Sequence, residues 1–265
     1  MLRQTLILAA RAGGAELLKY FGKVAADRKV DGSLVTEADL ASERAIIAEI
    51  EKVYPNCSFI AEESGFLRRS SSITVVIDPL DGTSNFACGL PWFGVLITAL
   101  SLSEPIAAVM YLPALDVIYD CEKDSALFRN QELILPDENR CMEKLITICF
   151  DPSSAQTPER EKLLHLTRQF PSVGTTSSLF DYAYFLDGHT SGFVFASGTS
   201  SIWDVAGLPL MMRATGRVVS DLEGCPLNLQ PDEEALTNSF PVLASSPRLH
   251  TKMIAFMQSL PPRGI

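Results

Sequence analysis

Ile73-Thr74-Val75-Val76-Ile77 is an uncharged run rich in β-branched side chains, and it ends on Asp78-Pro79-Leu80-Asp81-Gly82-Thr83-Ser84-Asn85-Phe86. The run reads as a buried strand that stops at an acid followed by proline. The proline fixes the backbone between Asp78 and Asp81, so two carboxylates and the Leu80 carbonyl converge on one small volume. Oxygen ligands of this kind suit a hard cation, Mg²⁺ or Mn²⁺, far better than zinc. Gly82 lets the backbone approach a ligand closely, and Thr83 offers a hydroxyl and an N–H at the start of a helical turn, where anions bind. Pro and Asp-Gly are also turn formers, so a plain loop between strands is the alternative reading of this motif by itself.

Composition narrows what such a site could serve. With 265 residues, 47% of them hydrophobic and 20% charged, the chain can bury a core and has a soluble globular profile. Its formal charge of −10 and the lack of any basic run beyond Arg68-Arg69 argue against nonspecific nucleic-acid binding. An anionic substrate would need metal ions to offset local repulsion. No stretch of about eighteen apolar residues is present, so no membrane span is expected. Arg3 and Arg11 sit inside a helical pattern without a signal-peptide core, which points to a cytoplasmic protein. Cys57, Cys88, Cys121, Cys141, Cys149 and Cys225 show no C-x-x-C pairing. That speaks against zinc or a disulfide framework and for reduced, buried thiols, with Cys88 alone close enough to the acidic motif to invite a redox role. His165, His189 and His250 have no ligand-like spacing and read as surface or cap residues.

Leu2, Leu6, Ala9, Ala10, Gly13, Leu17 and Phe21 recur at helical spacing, predicting a helix over residues 3–21 that ends near Gly22. Lys29-Val30-Asp31-Gly32-Ser33 reads as a hairpin or mobile loop. Thr36-Glu37-Ala38-Asp39 opens a second helix, with Leu40, Ile46, Ile47, Ile50 and Val53 as its apolar face. A capping box would explain Thr36 and Asp39 without any chemistry. Ser58–Ala61 is a short strand delivering Glu62-Glu63-Ser64, acids that two neighbouring strands could present at the same edge as Asp78. Residues 93–128 read as an antiparallel meander, and the polar stretch 129–143 as a join between two lobes, 1–135 and 136–265, of one catalytic unit. Strand and helix alternate afterwards: strands at 145–150, 193–195, 218–219 and 242–244, and helices at 158–169, 179–188, 201–214 and 247–260. Asp204 falls in a first helical turn, where the helix dipole favours an acid in any case.

The ordered set Lys-x-Asp-Gly-Ser-x-Val-Thr-Glu-Ala-Asp (29–39), Glu-Glu-Ser (62–64), Asp-Pro-Leu-Asp-Gly-Thr-Ser-Asn-Phe (78–86) and Trp-Asp-Val-Ala-Gly (203–207) resembles the inositol monophosphatase family over nearly the whole chain. That family belongs to the lithium-sensitive, metal-dependent sugar-phosphate phosphatases. The resemblance implies a layered α-β-α-β-α sandwich, a cytoplasmic homodimer and two or three Mg²⁺ ions per site, with Mn²⁺ as a substitute. Carried over position by position, Glu62, Asp78 and the Leu80 carbonyl would hold the ion that activates water. Asp78, Asp81 and Asp204 would hold a second, which stabilises the leaving oxygen. Thr83, hydrogen-bonded to Asp39, would orient and help deprotonate the water, with Glu63 near the first ion. Gly82 and Thr83 would present N–H groups to the phosphate, and Lys29, Gly174, Thr175 and Ser177 complete the expected phosphate and substrate contacts. The implied reaction is hydrolysis of a small phosphorylated polyol such as inositol monophosphate, with no nucleic-acid polymer and no membrane as partner.

Two departures bear on the substrate. Family members often carry an acid about seven positions before the Trp-Asp aspartate, where this chain has Phe195-Ala196-Ser197-Gly198. A glycine-rich turn of the meander is replaced by Lys123-Asp124-Ser125-Ala126. A 3′(2′),5′-bisphosphate nucleotidase of the same superfamily is the alternative, because its Gly-x-Thr-x-x-Ile-Trp-Asp is close to Gly198–Asp204. A haloacid-dehalogenase phosphatase would need aspartates two apart, and Asp78 and Asp81 are three apart. A non-catalytic binding or regulatory role is disfavoured because every metal-ligand position is filled.

Overall fold

The computed structural model of the chain describes residues 1–23, 27–28, 34–135, 145–149, 158–174, 177–195 and 200–259. The first half runs α1 (Leu2–Tyr20), β1 (Asp27–Arg28), β2 (Leu34–Val35), α2 (Glu37–Glu51), β3 (Ser58–Ala61), β4 (Gly65–Leu67), β5 (Ile73–Asp81) and α3 (Thr83–Ala87). It continues through β6 (Gly94–Ser101), β7 (Glu104–Leu112), β8 (Val117–Glu122), β9 (Leu127–Arg129) and β10 (Glu132–Ile134). The second half contains β11 (Ile146–Cys149), α4 (Pro158–Gln169), β12 (Ser172–Gly174), α5 (Ser178–Leu186) and β13 (Gly192–Phe195). Then come α6 (Ile202–Val205), α7 (Leu208–Ala214), β14 (Val218–Ser220), β15 (Val242–Ser245) and α8 (Pro247–Ser259).

Eight strands form one sheet in the order β10-β9-β8-β7-β6-β5-β3-β4, antiparallel except for β3 beside β5. Five form a second, β12-β11-β13-β15-β14, with β11 parallel to both of its neighbours, and β1 and β2 pair antiparallel as a two-stranded ribbon. The alternation of side chains along β5 and β6 sends Val75, Ile77, Val95 and Ile97 toward α1 and α2, and Val76 and Leu96 toward α5, α6 and α7. Phe193, Phe195, Val242 and Ala244 of the five-stranded sheet close over those same middle helices, while Ile148, Val194 and Leu243 face α4 and α8. The layers are therefore α-β-α-β-α, the sandwich that the resemblance implied. Each fully buried Leu or Ile, such as Leu6, Leu17, Ile46 or Ile50, contributes on the order of 1.5–3 kcal/mol. α1 and α2 approach closely at Gly13, where a Cβ would lie 2.7 Å from the Ile46 side chain and from Ser42 Oγ.

Several local expectations need correction. β5 does not stop at Asp78: it stays paired with β6 as far as Asp81 opposite Gly94, with a bulge between Asp78 and Asp81 that absorbs Pro79. The helix expected over 201–214 is broken at Gly207, because Pro209 in the first turn of α7 has no N–H to continue the ladder. Gly207 also passes so close to Thr98 that a Cβ would meet Oγ1 at 2.8 Å. Part of the stretch read as a join between lobes is the β9–β10 hairpin, whose turn residues Asn130 and Gln131 both take positive φ, 49° and 70°. That turn twists with the strands, and the Asn130 side chain ties it to Ile118 and Asp116. Leu40 of α2 and Val53 beyond its end are exposed, and the buried face of α2 is Ala38, Asp39, Ala41, Ser42, Glu43, Ile46 and Ile50. His250 is buried and bonded to Ser220 Oγ at 3.0 Å, and Cys88 and Cys225 are exposed.

Candidate active site

The bulge at the end of β5 turns Asp78 and Asp81 to the same side, and α6 brings Asp204 against them. One carboxylate oxygen of each lies within 4.8 Å of the others. Asp78 and Asp81 are 2% and 5% exposed, and Asp204 is half-buried. Burial first, and then the charges of Glu62, Asp204 and Asp81, push the Asp78 carboxyl well above its usual range. Asp204 is raised well above it too, by burial and then by Asp81 and Glu62. Burial also raises Asp81, although donors from Ser178, Ser177 and Leu179 pull it back. Among the described residues no Lys or Arg forms an ion pair with any of these three aspartates. Buried anions in such company are stable only with protons or a cation.

Each acid is anchored by one backbone donor. Asp78 Oδ1 accepts from Leu80 N–H at 2.9 Å, and Asp81 Oδ1 from Leu179 N–H at 3.3 Å and Ser177 Oγ–H at 2.9 Å. Asp204 Oδ2 accepts from Ser201 N–H at 2.6 Å, capping α6. Asp39 Oδ2 accepts from both the N–H and the hydroxyl of Thr36 at 2.7 Å, completing the box at the start of α2. Its Oδ1 lies 3.4 Å from Thr83 Oγ1, whose hydroxyl also reaches the Leu80 carbonyl at 3.1 Å. One side chain thus completes the capping box and faces Thr83. Burial raises the Asp39 carboxyl, the Thr36 bonds pull it down, and Glu63 pushes it up again.

Glu62 follows β3, and its N–H extends the pairing to Ile77 O at 3.2 Å. Gly82 has φ of +83°, and a Cβ there would meet the Trp92 carbonyl at 2.5 Å, so only glycine fits this turn. Ser177 is buried with its hydroxyl donated to Asp81, beneath the metal-ligand candidates rather than at an open surface. Gly174 is exposed at the end of β12, with open space where a Cβ would be. Lys29 and Thr175 lie outside the described residues.

Sequence reading missed Ser42, Glu43 and Ser178. Ser42 Oγ donates to Pro79 O at 2.8 Å, and Glu43 Oε2 accepts from Glu63 N–H at 2.9 Å. Their spacing of three and four from Asp39 was the available signal, since it puts all three on one helix face.

A model described as the inositol monophosphatase family matches residues 2–260. The chain belongs to the inositol monophosphatase family. It is a phosphoric monoester hydrolase; its family is one of metal-dependent phosphatases of small phosphate substrates, and its own clustered aspartates could hold metal. It is 31% identical over 231 residues to the inositol-1-monophosphatase of Mesorhizobium japonicum, covering 84% of this chain and 86% of that one. It is 30% identical over 262 residues to Nus factor SuhB of Escherichia coli K12, covering 95% and 94%. The crystal structure of the extragenic suppressor protein suhB from Bartonella henselae superposes with a TM-score of 0.84 at 26% identity, over 97% and 98% of the two chains. Among the described residues of this family member, no helix is long and apolar enough to cross a membrane.

Proposed function

We propose that the chain hydrolyses small phosphorylated polyols such as inositol monophosphate by direct attack of water, with Mg²⁺ held by Glu62, Asp78, Asp81, Asp204 and the Leu80 carbonyl. The observation that carries this is the trio of buried and half-buried aspartates, their oxygens within 4.8 Å and, among the described residues, no cationic side chain paired to them. All the donors are oxygens, which fits a hard divalent cation. Bound there, such ions lower the pKa of water and offset the charge that develops on the leaving oxygen.

The protein's own groups do the rest. Thr83 Oγ accepts a proton from the attacking water while passing its own toward Asp39 Oδ1, 3.4 Å away. Asp39 is held for that task by its two bonds from Thr36, so it cannot swing away. Gly82 and Thr83 offer N–H groups to the phosphoryl oxygens, and Glu63 adds negative charge beside Asp39. Catalysis in phosphoryl transfer is mostly positioning and electrostatics, and this site is rich in both.

Position 196–197 carries Ala-Ser rather than an acid, which removes one strong acceptor for ring hydroxyls. A site built to pair with a hydroxyl discriminates by about 10⁴-fold or more, whereas apolar fit alone gives about a hundredfold. Inositol 1-phosphate should therefore be accepted without strong preference. The nucleotidase reading is supported by Gly198-Thr199-Ser200-Ser201-Ile202-Trp203-Asp204. The test is kcat/KM with Mg²⁺ for inositol 1-phosphate, glycerol 2-phosphate, fructose 1,6-bisphosphate, histidinol phosphate and adenosine 3′,5′-bisphosphate. A preference for inositol 1-phosphate above about a hundredfold over all the others refutes weak discrimination. A marked preference for the bisphosphate nucleotide establishes the alternative, and no Mg²⁺-dependent phosphate release from any of them refutes both.

A further inference from the structure

We propose that Glu43, seconded by Ser42, is a positioning residue for the metal site: α2 holds the Glu62 turn and the Asp78–Asp81 bulge at a fixed separation. This rests on the metal-site reading above.

Glu43 is 4% exposed, yet it packs against no lysine or arginine in an ion pair among the described residues. Its carboxylate serves one turn instead. Oε2 takes the Glu63 N–H at 2.9 Å, and the hydroxyl and N–H of Ser64 act on the same carboxyl, pulling its pKa down against burial. Glu62 is thereby gripped from both sides, by Ile77 O through its own N–H and by Glu43 through the next one. One residue earlier on the helix, Ser42 Oγ reaches the carbonyl of Pro79, inside the bulge that separates Asp78 from Asp81. One turn earlier again, Asp39 addresses Thr83. Residues 39, 42 and 43 share a helix face and touch three separate chain segments of the site.

The pairing of β3 with β5 sets the coarse distance between Glu62 and Asp78, because adjacent strands lie about 4.7–4.9 Å apart. Beyond the strand ends the ladder gives no further guidance. There the helix supplies it, and a helix is a stiffer support than a loop. A carboxylate costs free energy to bury, and here the donors that offset the cost all belong to the turn that follows Glu62. Glutamine at position 43 keeps the volume but offers only one acceptor oxygen and turns an NH₂ toward backbone donors.

The experiment is a Mn²⁺ titration of chelator-treated protein, with free Mn²⁺ followed by electron paramagnetic resonance, alongside kcat at rising Mn²⁺. Glu43→Gln should raise the Mn²⁺ Kd by about 10–100-fold, the range seen when a ligand's supporting partner is lost. Its kcat should return toward wild type at saturating Mn²⁺, whereas that of Asp81→Asn should not. Ser64→Ala and Ser42→Ala, milder changes, should shift the Kd in the same direction and carry the test if Glu43→Gln fails to fold. His250→Gln, destabilised far from the site, should leave the Kd unchanged. An unaltered Kd in the Glu43 and Ser64 variants, a kcat loss that metal does not restore, or an equal shift in His250→Gln overturns the proposal. Wild-type protein that takes up no Mn²⁺ overturns the metal-site reading itself, and this proposal with it.

Discussion

Asp39 divides its carboxylate between two tasks: Oδ2 caps α2 through Thr36, and Oδ1 stands 3.4 Å from Thr83 Oγ1. Asp39→Asn should therefore lose about 0.5–2 kcal/mol of stability from the cap and lose turnover as well. Thr83→Ala should lower kcat more than it raises KM, because orienting water matters mainly at the transition state. The double mutant should be little slower than the slower single mutant. Fully additive losses in log kcat would mean that Asp39 acts only as a cap.

Asp81→Asn and Asp204→Asn each remove a carboxylate from a crowded, buried set. Turnover should fall by well over the roughly 10–100-fold typical of changes one step removed from a metal. The metal-free variants should melt no lower than wild type, since a buried repulsion is relieved. Circular dichroism with chelator checks the second point and phosphate release at saturating Mg²⁺ the first. Wild-type turnover in either folded variant would remove that residue from the site.

The raised carboxyls also set how the metal-free protein responds to pH. Asp78, Asp81 and Asp204 hold protons in the fold that they release in the unfolded chain, where the ordinary value is 3.8. With more protons bound folded than unfolded, stability present at low pH is lost as pH rises above 3.8 through the folded values. Metal substitutes for those protons, so binding releases them and the Tm gained from saturating Mg²⁺ should grow as pH rises. Melting with and without chelator from just above pH 3.8 upward measures this. A metal-induced gain that stays flat or shrinks over that span would contradict it.

His250 works in the opposite direction at lower pH. Its ring faces Ser220 Oγ at 3.0 Å, and burial pushes its pKa below 6.5 despite a bond involving the Leu243 backbone. The unfolded chain takes up a proton below 6.5 that the fold resists, so stability falls as pH drops from 6.5 toward the depressed folded value. His250→Gln should be less stable than wild type at neutral pH, and its deficit should narrow below 6.5. A Tm difference independent of pH would show that His250 is already protonated or titrates normally.

Much of this was legible in the chain because its strong patterns are local. The β-branched run of β5, the Thr36–Asp39 box and the acids beside Pro79 each declare themselves within a dozen residues. What escaped depended on partners far away in sequence. Asn130 and Gln131 make a hairpin turn without the glycine that usually signals one, because the Asn130 side chain supplies the missing support. Ser42 and Glu43 lie outside the apolar face read for the second helix, and only the opposing turns at Glu63 and Pro79 explain why polar groups face inward. Leu40, apolar and correctly spaced, was exposed for the same reason.

The divided carboxylates carry a lesson for reading relatives of this protein. Asp39 and Asp204 each cap a helix, whether or not a phosphate ester is ever cut. A descendant that abandoned the reaction would still be held to Asp39 by its own folding, whereas asparagine could cap α6 in place of Asp204. Glu62 is different, because its N–H bond to Ile77 O uses only backbone and any residue except proline could make it. Thr83 is likewise free to drift once no proton needs guiding. Asp39 records ancestry, and Glu62 with Thr83 records continued employment.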